Sequence, residues 1–164
     1  MRYVVFALIM LVAIAEAGIA DWSDYGKSTL ADVSLEHRSC NSLASDFHVE
    51  TGSWKYSVRV ISVGSSREIL PETRLYVERW ARSLGHGPDI VDLFTHEVQV
   101  REGSTRYWLP IQGPLMPAYR DKISPGDTLD VQIMLAGSSG IRWIFLINGF
   151  QRVSSAILNG RGHS

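Results

Sequence analysis

Alternating apolar and polar side chains predict five β-strands between residues 54 and 150. The predicted strands are Trp54–Val63, Phe94–Arg101, Thr105–Gln112, Thr128–Ala136 and Ile141–Phe150. The alternation slips in phase at Ile61, which indicates a bulge or the end of the first strand. Turn-forming residues join the other strands into two hairpins, through Glu102-Gly103-Ser104 and through Gly137-Ser138-Ser139-Gly140. The last strand is apolar on both faces, so we expect it to be covered on both sides.

A helical period follows the first strand. Pro71 suits the first turn of a helix and Gly85 suits its C-terminal cap, which predicts a helix over residues 71–84. The apolar positions that share one face of this helix are Tyr76, Val77, Trp80, Ala81 and Leu84. Residues 85–88 predict a loop, and Leu115 to Ile123 predict a short helix or turn.

This order of elements predicts an α+β, β-rich fold. Five strongly twisted strands can close into a small barrel, and a helix between the third and fourth strands is the arrangement of an OB-fold. The helix over residues 71–84 is additional to that pattern. An open antiparallel sheet with this one helix packed on a face fits the order equally well. The sequence therefore predicts either a five-stranded antiparallel OB-like barrel or an open sheet with one packed helix.

The N-terminal residues predict a secretory signal peptide over residues 1–17. Arg2 precedes an apolar run from Tyr3 to Ala15, and Ala15 and Ala17 are small residues at the positions that a signal peptidase reads. The run is shorter than a membrane span needs, although an uncleaved anchor is the alternative. We expect cleavage after Ala17, or else after Ala20, and a periplasmic or secreted mature protein with no membrane span.

Three further segments follow the leader. For residues 18–53 the sequence predicts an N-terminal arm with short helical turns. One of these turns is capped by Ser28 and carries Leu30, Val33 and His37. Residues 54–152 form the β-rich domain, and residues 153–164 predict a flexible tail.

Charge and cysteine content narrow the function classes. The chain has 16 basic and 17 acidic residues, a formal net charge of −1, which argues against a general nucleic-acid or anionic-membrane binder. Its single cysteine, Cys40, excludes an internal disulfide, so stability must come from packing. We interpret Cys40 as a small buried or loop residue rather than a nucleophile, and we predict no cofactor.

Neither metal-binding nor nucleophilic motifs are convincing. His37 and Cys40 have the spacing of two ligands on one helix face, and His86 and Asp89 share a loop, but no third ligand joins either pair at a recognisable spacing. We therefore predict no metal site. The sequence contains no Gly-x-Ser-x-Gly elbow, no His-Glu-x-x-His and no phosphate-binding glycine loop.

The first hairpin contains the candidate ligand-binding surface. Trp108 is out of phase with its apolar neighbours Tyr107, Leu109 and Ile111. If those three face the core, the opposite face combines an aromatic ring with amides and charges, as sites for sugars and polar ligands often do. The candidate ligand-binding residues on this face are Trp108, Gln112, Glu97, Gln99 and Arg106. The alternative is that Trp108 packs under the helix over residues 71–84.

The C-terminal part of the domain carries a resemblance to known proteins. The stretch WLPIQGPLMPAY, followed by SPGDTLDVQIMLAGSSGIRWIFLINGF, resembles the C-terminal part of small exported bacterial proteins of no assigned function. These share a Trp-Leu-Pro-x-Gln strand and a hairpin that ends in Phe-Leu-x-Asn-x-Phe. The resemblance covers roughly residues 94–150 and implies a small β-rich domain outside the cytoplasm. It implies no catalytic residues.

Three hypotheses of function follow. The leading one is an exported, non-enzymatic binding module for a small polar ligand or a cell-envelope protein partner. The second is a cell-envelope hydrolase that uses Glu97 and Asp130, or a histidine, although carboxylates on strand surfaces are usually just solvated. The third is an accessory subunit of an envelope complex, with the N-terminal arm and Cys40 at an interface. The sequence leaves the oligomeric state open.

Overall fold

A computed structural model of the chain describes residues 22–37, 47–50, 52, 54–139 and 142–153. These residues form short peripheral elements around a set of longer strands. The strands are β1 (Gly26–Ser28), β2 (Phe47–Val49), β3 (Lys55–Glu68), β4 (Phe94–Glu102), β5 (Thr105–Gln112), β6 (Thr128–Ser139) and β7 (Arg142–Arg152). The helices are α1 (Leu30–Glu36), α2 (Pro71–Ser83), α3 (Pro88–Leu93) and α4 (Met116–Lys122), the last of them preceded by a 3-10 turn over Gly113–Leu115.

The five strands β3 to β7 close into a barrel. The sheet order is β1-β3-β4-β5-β7-β6-β2, and β3 also pairs with β6, which completes the ring. Helix α4 lies between the third and fourth strands of the barrel, which makes the barrel OB-like. This is one of the two architectures that the sequence predicted. The other, an open sheet, is wrong. The prediction of a wholly antiparallel barrel also needs correction, because β5 and β7 are parallel where Ile111 meets Ile147.

The length of β3 makes closure possible. Its first half pairs with β6, from Lys55 to Ile61, and its second half pairs with β4, up to Glu68. The register shifts between Ser62 and Ser66, where Gly64 has a φ of 86°. The phase slip at Ile61 therefore marks a bulge, as expected, but the strand continues past it to Glu68 instead of ending near Val63.

Apolar side chains form two layers, one inside the barrel and one between the barrel and α2. Val98, Leu109 and Phe145 belong to the interior cluster, and α1 adds Leu30 and Val33 to it. The outer cluster joins the predicted apolar face of α2 to β6 and β7; its buried members are Tyr76, Val77, Trp80, Ala81, Val91, Phe94, Ala136, Ile144 and Leu146. The last strand is thus covered on both sides, as its sequence predicted.

The N-terminal arm contributes more than helical turns. β1 adds a parallel strand beside β3, and β2 adds an antiparallel strand beside β6. The N-cap of α1 is Thr29, whose side chain accepts a hydrogen bond from Asp32 N at 2.9 Å, so the prediction of Ser28 as the cap is wrong by one residue. The Glu102 carboxylate from β4 also accepts hydrogen bonds from the first helical amides of α1, which attaches the arm to the barrel.

Two connections differ from their predictions. The segment before β4 contains helix α3, with Pro88 at its first position, where the missing N–H of proline is tolerated. The second hairpin has a shorter connection than predicted, because β6 continues through Gly137 and Ser138, which pair with Ile144 and Trp143. Strand pairing therefore extends into the expected loop.

Several expectations concern residues outside the described ranges. These are the leader over residues 1–17, the arm residue Cys40 with its spacing to His37, and the tail beyond Val153. Of the helices that the structure describes, none combines the length and the apolar character needed to cross a membrane.

Candidate functional site

Glu97 is a fully buried carboxylate on the outer face of β4, bound by two arginines. Arg67 on β3 lies directly opposite it and donates from Nε to Oε2 at 2.8 Å. Arg142, at the start of β7, donates from Nη2 to Oε1 at 2.7 Å. The Glu97 side chain is 0 % exposed, and a buried carboxylate is costly unless it is paired and hydrogen-bonded. The interpretation of Glu97 as a solvated strand carboxylate is therefore wrong.

Arg67 also stacks on Trp108. Its guanidinium carbon Cζ lies 3.9 Å from the centroid of the Trp108 ring, within the range of a cation–π contact. Trp108 is half-buried and belongs to neither apolar cluster, whereas α2 packs against β6 and β7. The alternative in which Trp108 packs under this helix is not what the structure shows. Trp108 lies on the face opposite Leu109 and Ile111, as its phase in the sequence predicted.

The other candidate residues are divided between this site and the barrel frame. Gln99 lies directly opposite Trp108 in the β4–β5 register and so shares its face. Gln112 donates from Nε2 to Asn148 Oδ1 at 3.1 Å, which links β5 to β7 beside their parallel pairing. Arg106 is exposed nearer the hairpin turn, opposite Arg101. The structure therefore brings Glu97, Gln99 and Trp108 together, while the Gln112 amide is already engaged.

Sequence reasoning placed neither arginine in the candidate site around Trp108. Arg67 lies beyond the predicted end of the first strand, so its partner across the sheet could not be assigned. Arg142 stands next to a hairpin connection, where a polar residue is ordinary. Residues 65–68 are Ser-Ser-Arg-Glu, without apolar alternation, so no local signal pointed from Arg67 or from Arg142 to Glu97.

The pair of carboxylates considered for hydrolysis is not brought together. Asp130 lies opposite Arg59 and accepts two hydrogen bonds from it, at 2.8 and 3.0 Å. That pair occupies the half of β3 that joins β6, whereas Glu97 faces the half that joins β4. Glu97 is thus paired with two arginines and Asp130 with a third, and the described contacts place no shared acid–base pair between the two carboxylates.

A second polar cluster surrounds Glu50 at the periphery of the barrel. Its Oε1 lies 3.4 Å from His37 Nδ1 and 3.2 Å from His48 Nε2, and its Oε2 accepts a hydrogen bond from Trp54 Nε1. His37 Nε2 is 2.9 Å from the Tyr56 hydroxyl. Burial, with the nearby carboxylates of Glu36 and Glu50, raises the pKa of Tyr56 and so disfavours a reactive phenolate. The cluster fastens α1 and β2 to β3.

No metal-ligating group of side chains is seen in the part of the chain that the structure describes. Within it, no three His, Cys, Asp or Glu side chains converge in a way that could hold a metal ion. A cleft of about 120 Å³ lies between α2 and α3, lined among others by Arg82, His86 and Val91. This volume is below that of ordinary small-molecule pockets.

Comparison with known proteins assigns no family to this geometry. The chain matches no family model, no curated protein and no solved structure.

Proposed function

We propose that this protein is an exported, non-enzymatic binding module that recognises a small polar ligand on the outer face of β4 and β5. One observation carries the proposal: buried Glu97 holds Arg67 flat against Trp108, so that a fixed cation and an aromatic ring share one partly exposed face. Pre-positioned side chains lose less conformational freedom when a ligand binds. The leader sequence supplies the export part of the proposal.

The position of this face within the fold supports a binding role. In OB-folds the outer face of the second and third barrel strands is a common ligand surface. In this barrel those strands are β4 and β5, which contain Glu97 and Trp108. This support is an analogy at the level of the fold, and the site residues carry the specific argument.

The chemistry of the site favours binding over hydrolysis. Both oxygens of Glu97 accept hydrogen bonds from arginines, so this carboxylate is poorly placed to take a proton from a substrate. Asp130 is engaged by Arg59 on another part of β3. A hydrolase at this face would need a further nucleophile or base beside Trp108, and Gln99 supplies neither.

The surface around the site also favours a small ligand over a protein partner. Protein interfaces usually bury an apolar or aromatic centre. The large apolar side chains that are exposed in the described ranges are Leu35, Trp54 and Leu75, and none lies on β4 or β5. The face around Trp108 also carries the polar side chains of Arg67 and Gln99, which can make directed hydrogen bonds to a small polar ligand.

The experiment is a ligand screen on the mature, ¹⁵N-labelled protein by NMR, read from the indole N–H signal of Trp108 and, in the parent and all variants alike, from the backbone amide signals of β4 and β5. A panel of neutral and charged sugars and amino acids is titrated, and we expect at least one to shift these signals saturably. Trp108→Ala is expected to keep the fold and lose that binding. The matched control Trp54→Ala removes a tryptophan of the Glu50 cluster, which lies away from the β4–β5 face, and should retain that binding.

Two results would overturn the proposal. If a ligand binds equally well to Trp108→Ala, the site lies elsewhere. If Trp108→Ala does not fold, Trp108 is a core residue and the face is structural. The export part is tested separately by N-terminal sequencing of protein recovered from the producing cells, which should begin at Gly18 or Asp21.

A further inference from the structure

We infer that the ligand carries an oxyanion, a carboxylate or a phosphate, and that the outer edge of the Arg67 guanidinium binds it with support from Arg142. This inference rests on the proposed function and names the chemical class of its ligand. Three properties of the site carry it: its charge, its unused hydrogen-bond donors and the position of Trp108.

The charge at the site does not cancel. Glu97 contributes one negative charge, and Arg67 and Arg142 contribute two positive charges. Glu72 approaches Arg142 at 3.4 Å, but its side chain is 74 % exposed, so solvent and salt screen its effect. A residual positive charge therefore remains where both arginine side chains are 32 % exposed, and it favours an anion.

The donors at the site are not exhausted. A guanidinium has five N–H donors, and Glu97 engages only the Nε–H of Arg67. Within the described ranges, no hydrogen bond is made by either terminal nitrogen of Arg67. Those nitrogens form the fork that matches two oxygens of a carboxylate or phosphate. Both Glu97 oxygens are occupied, and the Arg67 side chain is 32 % exposed, so the remaining fork is open to an acceptor from a ligand.

Trp108 makes the fork rigid and also selects against neutral ligands. Stacking on the ring and the bond to buried Glu97 hold the guanidinium of Arg67 in one orientation, which lowers the entropic cost of binding. The same stacking covers one face of the Trp108 ring. A neutral sugar cannot lie on that ring face without displacing Arg67. The arrangement therefore suits a ligand that meets the guanidinium edge with a negative charge.

The test compares three probes that share one sugar ring: glucose, glucuronate and glucose 6-phosphate. Each is titrated into the mature, ¹⁵N-labelled protein while the Arg67 Nε–H and Trp108 indole signals are followed by NMR. We expect both anions to shift the two signals saturably and to bind about tenfold more tightly than glucose, a ratio that added salt reduces. The ratio between glucuronate and glucose 6-phosphate tells a carboxylate source from a phosphate source.

Arg67→Lys is the main variant, because it keeps a charge beside buried Glu97 but removes the fork and the flat stacking surface. We expect the preference for the anions to fall about tenfold, with the protein spectrum otherwise preserved. Arg59→Lys is the matched control: Arg59 lies on the same strand and pairs with Asp130, so binding should be unchanged. If Arg67→Lys fails to fold, Trp108→Phe serves instead. It keeps a ring beside Arg67, so it should retain the preference for the anions, read from the Arg67 Nε–H signal.

The outcomes separate this inference from the proposed function. Equal binding of glucose and the two anions at Trp108 overturns the oxyanion inference and leaves the binding module standing. Anion binding that Arg67→Lys leaves intact also overturns the inference. If neither anion shifts the Arg67 or Trp108 signals, the inference is wrong. The proposed function is then tested by the neutral ligands of the wider panel.

Discussion

Arg67 on β3 lies directly opposite Glu97 on β4, and its Nε donates to the buried carboxylate at 2.8 Å. This pairing exists because the register of the two strands shifts between Ser62 and Ser66. If the pairing of Ser62 with Val100 continued without the shift, Ser65 would face Glu97 instead. The bulge thus places a cation opposite a carboxylate that would otherwise be buried next to a serine.

The stability of the fold should depend strongly on the charge of Glu97. Glu97→Gln leaves two arginines facing a neutral amide, and we expect a loss of about 2–4 kcal/mol in the free energy of unfolding. Asp130→Asn is the matched control, because Asp130 pairs with an Arg59 side chain that is 65 % exposed; it should cost at most about 1 kcal/mol. Urea denaturation measures both. Equal losses would mean that the burial of Glu97 carries no energetic weight.

Two tryptophans should respond differently to truncation. Trp80 is 2 % exposed on the buried face of α2, so Trp80→Ala should cost about 3–5 kcal/mol through lost packing and a cavity. Trp108 is half-buried and mainly supports Arg67, so Trp108→Ala should cost only about 1–2 kcal/mol. Chemical denaturation of the two variants gives the comparison. A Trp108→Ala loss as large as that of Trp80→Ala would identify Trp108 as core.

Gly137 should tolerate no side chain. Its φ is 134°, and an added Cβ would overlap the Tyr76 hydroxyl and the carbonyl oxygen of His48. Gly137→Ala should therefore cost about 3 kcal/mol or more, and it should free β2 from β6. Gly103→Ala also has a positive φ, 57°, but meets nothing within 4 Å and should cost only about 1 kcal/mol. Thermal unfolding of Gly137→Ala and Gly103→Ala compares the two losses of stability. Similar losses would contradict the role of close packing around Gly137.

Alkaline pH should destabilise the fold. Burial is the main cause that raises the pKa of Tyr56, Tyr76, Tyr107 and Tyr119 above the ordinary value of 10.0. The unfolded chain therefore releases these protons first, so the contribution of these tyrosines to stability is constant below about pH 9 and falls above about pH 10 as pH rises towards the folded-state values.

Unfolding by urea at several pH values measures this decline. Tyr76→Phe removes the most strongly shifted phenol together with its hydrogen bonds to the carbonyl groups of His48 and Ala136. This variant should be less stable at neutral pH and should decline less steeply above pH 10. An identical slope in the variant and the parent would show that Tyr76 does not contribute to the pH dependence.

Prediction from sequence was most accurate where structure follows from local periodicity. The β4–β5 hairpin, the α2 face with Tyr76 and Trp80, and the two covered faces of β7 are all present. Their signals lie within about ten residues, the range over which side-chain alternation reports burial. β1 and β2 were missed because each has three residues, too few to show a period.

For the candidate site, the sequence predicted the face on which Trp108 lies, but not the ion pairs of Glu97 that hold the site together. The phase of Trp108 against Leu109 follows from strand geometry, so its side of the sheet could be predicted. The burial of Glu97 could not, because the side chains that cover and neutralise it come from other strands. Gln112 looked available for a ligand, yet closure of the barrel places it beside Asn148.

Local patterns of apolar residues thus determine the strands, the main helix and the side of the hairpin on which Trp108 lies, because these depend on near neighbours in the chain. The site itself depends on closure of the barrel. Arg67 and Arg142 are 30 and 45 residues from Glu97, and they meet it only when β3 bends at its bulge and β7 joins the ring. Contacts between distant segments leave no periodic trace in the sequence, so only the tertiary structure brings the two arginines, the carboxylate and the tryptophan together.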